Sequence, residues 1–210
     1  MINLYLHTIT APLSNFEQQL AKLPTTIQSH ILKRKRKSRK EISLRGYLLL
    51  QKALQKKFGM KLDQVTFLDS GKPVFEGEPI HFNISHSGNL VGVAISKKGV
   101  LGLDIEQFRK FKKIEASFSF FSKVEQEAIL SADFPEQKLI EFWSKKEALI
   151  KALGGQMFDM AGDTDVRFSS TSWLNETYFF YPIQQKFDGF IWVASSFSTN
   201  NIVVTQIENL

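Results

Sequence analysis

The sequence predicts an α+β fold of two similar subdomains, residues 1–99 and 100–210. Three observations lead there. Segments alternating apolar and polar residues, the mark of half-buried strands, occur in both halves. Long stretches with helical apolar spacing end at Gly59 and again at Gly154-Gly155. Each such helix leads to a short β-rich segment, Val65-Thr66-Phe67 in one half and Val166-Arg167-Phe168 in the other. A helix-glycine-strand unit occurring twice suggests an internal repeat.

The elements follow in order. A strand over 2–9 places Ile2, Leu4 and Leu6 on one face and runs into Pro12. Helices are expected over 16–22, over 27–37 after Pro24, and over 40–58, where Tyr47, Leu50, Leu54 and Phe58 fall near helical spacing. Strands follow at 65–68, 79–85 and 90–96. Over 79–85, Ile80, Phe82 and Ile84 point inward and His81, Asn83 and Ser85 outward. A strand at 100–106 opens the second half. Helices follow at 122–131 and 135–153, the first begun by a capping box, Ser122-Lys123-Val124-Glu125. Strands at 165–168, 178–181, 189–197 and 202–207 complete the chain, the last two joined as a hairpin by Thr199-Asn200-Asn201.

Composition narrows the chemistry. With 43% hydrophobic and 23% charged residues the chain reads as a soluble globular protein, and its 19 phenylalanines point to an aromatic core. The absence of cysteine excludes disulfides, thiol catalysis and thiolate metal sites. His7, His30, His81 and His86 have no metal-ligand spacing, which argues against zinc. No apolar run is long enough for a signal peptide or a membrane span, so a cytoplasmic address is expected. The net charge of +6 is concentrated at residues 33–40, where seven of eight are basic. Such a run calls for an anionic partner. Nucleic acid is disfavoured because no aromatics interleave the run for base stacking.

Two stretches carry most of the chemistry. In Gly102-Leu103-Asp104-Ile105-Glu106, strand periodicity puts Leu101, Leu103 and Ile105 toward the core and both carboxylates on the opposite face. In Trp143-Ser144-Lys145-Lys146-Glu147-Ala148-Leu149-Ile150-Lys151, Glu147 and Lys151 are neighbours on a helix face. Three carboxylates around one point would suit a hard divalent cation, and a lysine beside them a phosphate. Plainer readings stand beside this one: a solvated Glu–Lys pair, a wet strand face, or a capping box from Ser144 to Glu147. The last is discounted because helix already precedes Ser144. Gly71-Lys72-Pro73 holds a lysine in a defined loop, and Asn83-Ile84-Ser85-His86-Ser87-Gly88 offers side-chain donors at a strand end.

Taken together, Gly71-Lys72-Pro73, Phe82 to Gly88, Gly102 to Glu106, Phe120 to Glu125 and Trp143 to Lys151 resemble the 4′-phosphopantetheinyl transferase superfamily, Sfp type. The resemblance spans residues 33 to 151. It implies a pseudo-dimer of two α+β subdomains with the active site in the cleft between them. It implies a holo-[acyl-carrier-protein] synthase activity: transfer of 4′-phosphopantetheine from coenzyme A to a serine of an apo acyl or peptidyl carrier protein, releasing adenosine 3′,5′-bisphosphate. By the same resemblance Asp104, Glu106 and Glu147 hold Mg²⁺, or Mn²⁺. Glu147 takes the proton of the carrier serine, and Lys151 neutralises the leaving phosphate and contacts CoA. Lys72, Pro73, Asn83, Ser85 and His86 bind the nucleotide end, with Lys33 and Arg45 as further basic contacts. The carrier is expected to be acidic and steered by the basic surface, with Lys112 and Lys113 nearest its path. A monomer without membrane attachment is expected. The alternatives are a nucleic-acid-binding protein using residues 33–40 and a CoA-binding pseudoenzyme.

Overall fold

The chain forms two compact units, Met1–Lys98 with Asn200–Leu210, and Gly99–Thr199. The computed structural model describes residues 1–155 and 164–210. The fold is α+β, as the sequence predicts.

The first unit starts with β1 (Ile2–Thr8), followed by α1 (Phe16–Leu20), α2 (Thr25–Leu32) and the long α3 (Lys37–Phe58). Gly59 stops α3 in the left-handed conformation, φ 66°, donating its N–H to the Gln55 carbonyl. A small hairpin of β2 (Val65–Phe67) and β3 (Pro73–Phe75) precedes β4 (His81–Ser87) and β5 (Leu90–Ser96). Helix α3 packs on this sheet so closely that a Cβ at Gly46 would lie 2.7 Å from the Ile84 methyl. Tyr5, Ile27, Ile31, Leu44, Leu49, Leu54 and Val93 form the core. The expected helix over 27–37 ends at Leu32, and α3 begins at Lys37. The basic run 33–40 thus occupies the junction and the first turn of α3, where cations oppose the helix dipole and no acidic residue offsets them.

The second unit holds β6 (Leu101–Gln107), a 3-10 helix (Ile114–Phe120), α4 (Lys123–Leu130), α5 (Pro135–Leu153), β7 (Ser170–Trp173), β8 (Glu176–Pro182) and β9 (Gly189–Ser195). Its sheet is antiparallel in the order β6-β9-β8-β7, with α5 lying on β6 and β9. The capping box opens α4: Ser122 Oγ accepts from Glu125 N–H, and Glu125 accepts from Ser122 N–H. Pro135 starts α5, and Gly154 ends it at φ 76°.

Glu125 also meets Lys146 at 3.1 Å, with both side chains buried, and Lys146 donates to the Thr164 carbonyl at 2.8 Å. This pair ties α4, α5 and the following segment together. Removing one member of such a pair costs about 3–5 kcal/mol, because it leaves the other charge buried and unpaired.

The last strand is β10 (Ile202–Gln206). The expected hairpin through Thr199-Asn200-Asn201 does not form. Instead β10 pairs in parallel with β1, Ile2 opposite Ile202, giving the first unit the sheet order β10-β1-β5-β4. The expected boundary assigned residues 100–210 to one subdomain, whereas Asn200–Leu210 belong to the first unit because of this pairing. The strand expected at 165–168 is also absent; the next strand is β7. The reason is local. Val166 N–H is taken by the Glu125 carboxylate at 3.0 Å, and the Val166 and Phe168 carbonyls by Lys145 Nζ at 2.9 and 3.3 Å. Side chains, not a neighbouring strand, use this backbone.

Candidate active site

The face of β6 that carries Asp104 and Glu106 also carries Gly102, and α5 rests on it. A Cβ at Gly102 would fall 1.9 Å from the Ala148 carbonyl oxygen, so only glycine admits the helix there. Of the plainer readings, the wet strand face does not hold. The helix covers it, and Asp104 is only 2% exposed, while Leu101, Leu103 and Ile105 are buried as well.

Close packing brings α5 side chains onto the carboxylates. Lys151 Nζ donates to Asp104 Oδ1 at 2.5 Å, and Ser144 Oγ donates to Asp104 Oδ2 at 2.7 Å. Glu106 pairs with Arg109 at 2.6 Å. Burial raises the Glu106 carboxyl above the usual range, and the Asp104 charge adds to this, with Arg109 and Lys151 opposing. Burial also raises Glu147; Lys151 pulls it down, and Asp104 and Glu106 push it up again. Asp104, Glu106, Glu147 and Lys151 are therefore one electrostatic cluster, short of positive charge.

Such a cluster can hold a cation in part. Its donors are hard carboxylate oxygens without thiolate or imidazole, a set that suits Mg²⁺. Among the described residues, however, no three carboxylates or histidines group as a ready-made cage. Lys151 sits against Asp104 instead.

The neighbouring lysines of the helix have other duties. Lys145 is buried over the Trp192 ring, 4.5 Å from its centroid, and Lys146 is held by Glu125. Burial lowers the Lys145 pKa. Nothing in the sequence pattern separates these two anchors from Lys151.

In the first unit, a cavity of about 190 Å³ is lined by His30, Arg34, Arg39, Ile42, Ser43, Tyr47, Gly71, Pro73, Asn83, Ile84 and His86. The expected Pro73, Asn83 and His86 are brought together here. Gly71, at φ 80°, turns the chain into Lys72. Lys72 is half-buried, and desolvation lowers its pKa to about 8. Ser85 is buried in β4. Lys33 is exposed at the end of α2 and does not line the cavity. Arg45 is 5% exposed and points elsewhere, donating to the Ala11 carbonyl at 2.6 Å and to Glu41 at 3.2 Å. It braces the segment before α1 against α3.

The sequence named His30 only as a histidine without metal spacing, Tyr47 only as a helix position, and Arg34 and Arg39 only within the basic run; it did not join them in one site. His30 stacks on Phe67 at 4.2 Å, and its Nε2 lies 3.3 Å from Arg34 Nη2. Burial lowers the His30 pKa, and Arg34 and Lys33 lower it further. A signal existed: 30 and 34, like 39, 43 and 47, recur at helical spacing. The density of the basic run hid which register faces inward.

Comparison with known proteins bears on both units. Residues 100–206 match the family described as the 4′-phosphopantetheinyl transferase superfamily, and residues 10–98 match the one described as 4′-phosphopantetheinyl transferase, N-terminal. The chain belongs to the 4′-phosphopantetheinyl transferase superfamily. It is similar to the 4′-phosphopantetheinyl transferase AcpT of Salmonella typhimurium, 33% identical over 121 residues, covering 56% of this chain and 60% of that protein. The 4′-phosphopantetheinyl transferase HetI of Nostoc is 32% identical over 163 residues, covering 70% of this chain and 68% of that one. The 4′-phosphopantetheinyl transferase Sfp of Bacillus subtilis is 33% identical over 117 residues, 53% of this chain and 51% of that protein. The matched part thus spans 60% of the length of the Salmonella relative and about half that of Sfp. No helix among the described residues is long and apolar enough to cross a membrane.

Proposed function

We propose that this protein transfers 4′-phosphopantetheine from coenzyme A to a serine of an apo acyl or peptidyl carrier protein, with Mg²⁺, leaving adenosine 3′,5′-bisphosphate. The observation that carries this reading is the cluster of Asp104, Glu106, Glu147 and Lys151 on β6 and α5. Its chemistry is that of phosphoryl transfer. Displacement at phosphorus is helped by charge neutralisation and positioning. A carboxylate raised in pKa is a better proton acceptor for a serine hydroxyl near neutral pH.

In this reading Asp104, Glu106 and Glu147 hold Mg²⁺, or Mn²⁺, which would neutralise pyrophosphate charge. Glu147 accepts the serine proton. Lys151 exchanges Asp104 for the phosphate as substrate arrives. In the first unit Lys72, Pro73, Asn83 and His86, joined by Arg34 and Arg39, take the nucleotide end with its 3′-phosphate. A cytoplasmic, monomeric enzyme and an acidic carrier complete the proposal. The deciding experiment is incubation with CoA, Mg²⁺ and an apo acyl carrier protein. A mass gain of one phosphopantetheine on the carrier supports the assignment, and an unmodified carrier across a panel of acyl and peptidyl carriers rejects it.

A further inference from the structure

Asp104 presents its two oxygens to different partners. Oδ1 faces Lys151 and Oδ2 faces Ser144, at 2.5 and 2.7 Å. The two donors differ in kind. Lys151 is a partly exposed cation near the end of α5, 29% accessible, whose long stem would let the ammonium move toward an arriving anion. Ser144 is fully buried in the middle of the helix. A serine inside a helix ordinarily returns its hydroxyl to the carbonyl one turn earlier, and it is a poorer helix former than alanine. Here it reaches across to a residue 40 positions away.

We propose that Ser144 is the positioning residue for Asp104, keeping Oδ2 fixed so that Oδ1 stays aimed at the cation when Lys151 withdraws. This rests on the metal-dependent reading above. Without Ser144, Oδ2 would lose the hydrogen bond that fixes its orientation, and the cation would meet a less prepared ligand. The prediction is a weaker metal site rather than slower chemistry.

The test uses the full chain with CoA and Mn²⁺ as probe, following Mn²⁺ binding by electron paramagnetic resonance, turnover against metal concentration, and thermal melting in chelator. A charge-assisted hydrogen bond of this kind corresponds to about a tenfold change or more in affinity. Ser144→Ala is expected to weaken Mn²⁺ at least about tenfold while kcat at saturating metal stays within about threefold, and Ser144→Thr to restore binding. Ser144→Cys keeps the volume with a weaker donor and should fall between them. A purely structural serine would lower the melting temperature of Ser144→Ala and leave Mn²⁺ affinity unchanged, which overturns the inference. If Ser144→Ala does not fold, wild-type Mn²⁺ affinity in folded Ser144→Cys overturns it equally. Failure of the wild type itself to bind Mn²⁺ would sink the metal reading, and this inference with it, an outcome told apart because it appears before any substitution.

Discussion

Lys151 Nζ lies 2.5 Å from Asp104 Oδ1, although 47 positions separate the residues in the chain. A partly exposed cation against a buried carboxylate offsets part of the cost of burying that charge. It also occupies the oxygen that a cation would use. If a metal is held there as proposed above, it competes with Lys151 for Asp104, and a substrate phosphate that draws Lys151 away should favour the metal.

On that reading CoA and Mn²⁺ should bind cooperatively. Mn²⁺ affinity measured with CoA present should exceed that of the protein alone, and Lys151→Met should reduce the difference. Turnover should require Mg²⁺ or Mn²⁺. Asp104→Asn, which keeps the shape of the buried side chain, should lower turnover at least about 100-fold. Full turnover in excess chelator would remove the metal from the scheme.

The raised carboxyl of Glu147 predicts a pH signature in stability. A carboxyl whose native pKa exceeds its unfolded value contributes stability fully present below the unfolded pKa, about 4.3, and lost as pH rises through the native value. In chelator at pH 7, Glu147→Gln should therefore melt above the wild type, by about 2–4 °C for each kcal/mol relieved. At pH 4 the two should converge. Turnover of this variant should fall by roughly 100-fold or more, as expected for a lost proton acceptor. A variant melting lower than wild type at pH 7 would contradict the burial argument.

Lys72, with its pKa lowered to about 8 by desolvation, predicts a second pH effect. An anion is held by the protonated amine. The kcat/KM for CoA, which reports the free protein, should decline as pH rises through about 8. Lys72→Arg should remove that decline. Dephospho-CoA should bind about tenfold worse than CoA, and Arg34→Ala or His86→Ala should shrink the gap. Equal affinity of wild type for both nucleotides would refute the 3′-phosphate assignment.

Lys112 and Lys113 are exposed just ahead of the 3-10 helix in the second unit. Reversing both to Glu should raise KM for an acidic carrier and leave that for CoA nearly unchanged. Wild-type kcat/KM for the carrier should fall with salt, because exposed charges are screened over about 8–10 Å near physiological ionic strength. If the double reversal weakens CoA and spares the carrier, the two basic surfaces have been assigned the wrong way round.

The sequence revealed the type of most elements, because alternation over 101–106 and helical spacing over 135–153 are local patterns. It did not reveal which face of β6 is covered. Alternation separates two faces without saying that both are buried, and the clue was Gly102, whose missing Cβ makes room for α5. Gly102→Ala should therefore lower the melting temperature sharply, and a mild effect would mean that α5 can shift off β6. The lysines at 145, 146 and 151 look alike in sequence. Only packing distinguishes the two that anchor backbone and carboxylate from the one that faces the cluster. Arg45 matched a basic pattern and proved to be a brace, since charge alone does not reveal a carbonyl waiting at Ala11.

Strand β10 has a consequence for biosynthesis. It neighbours β1, yet Ile202 is translated 200 residues after its partner Ile2. At roughly 5–20 residues per second the interval is about 10–40 s. Until then the outer edge of β1 offers unpaired backbone groups to whatever passes, including the same strand emerging from a neighbouring ribosome. For this protein the vulnerable period in the cell is set by the pace of translation, and a chaperone that shields β1 early should raise the yield more than one that acts after release.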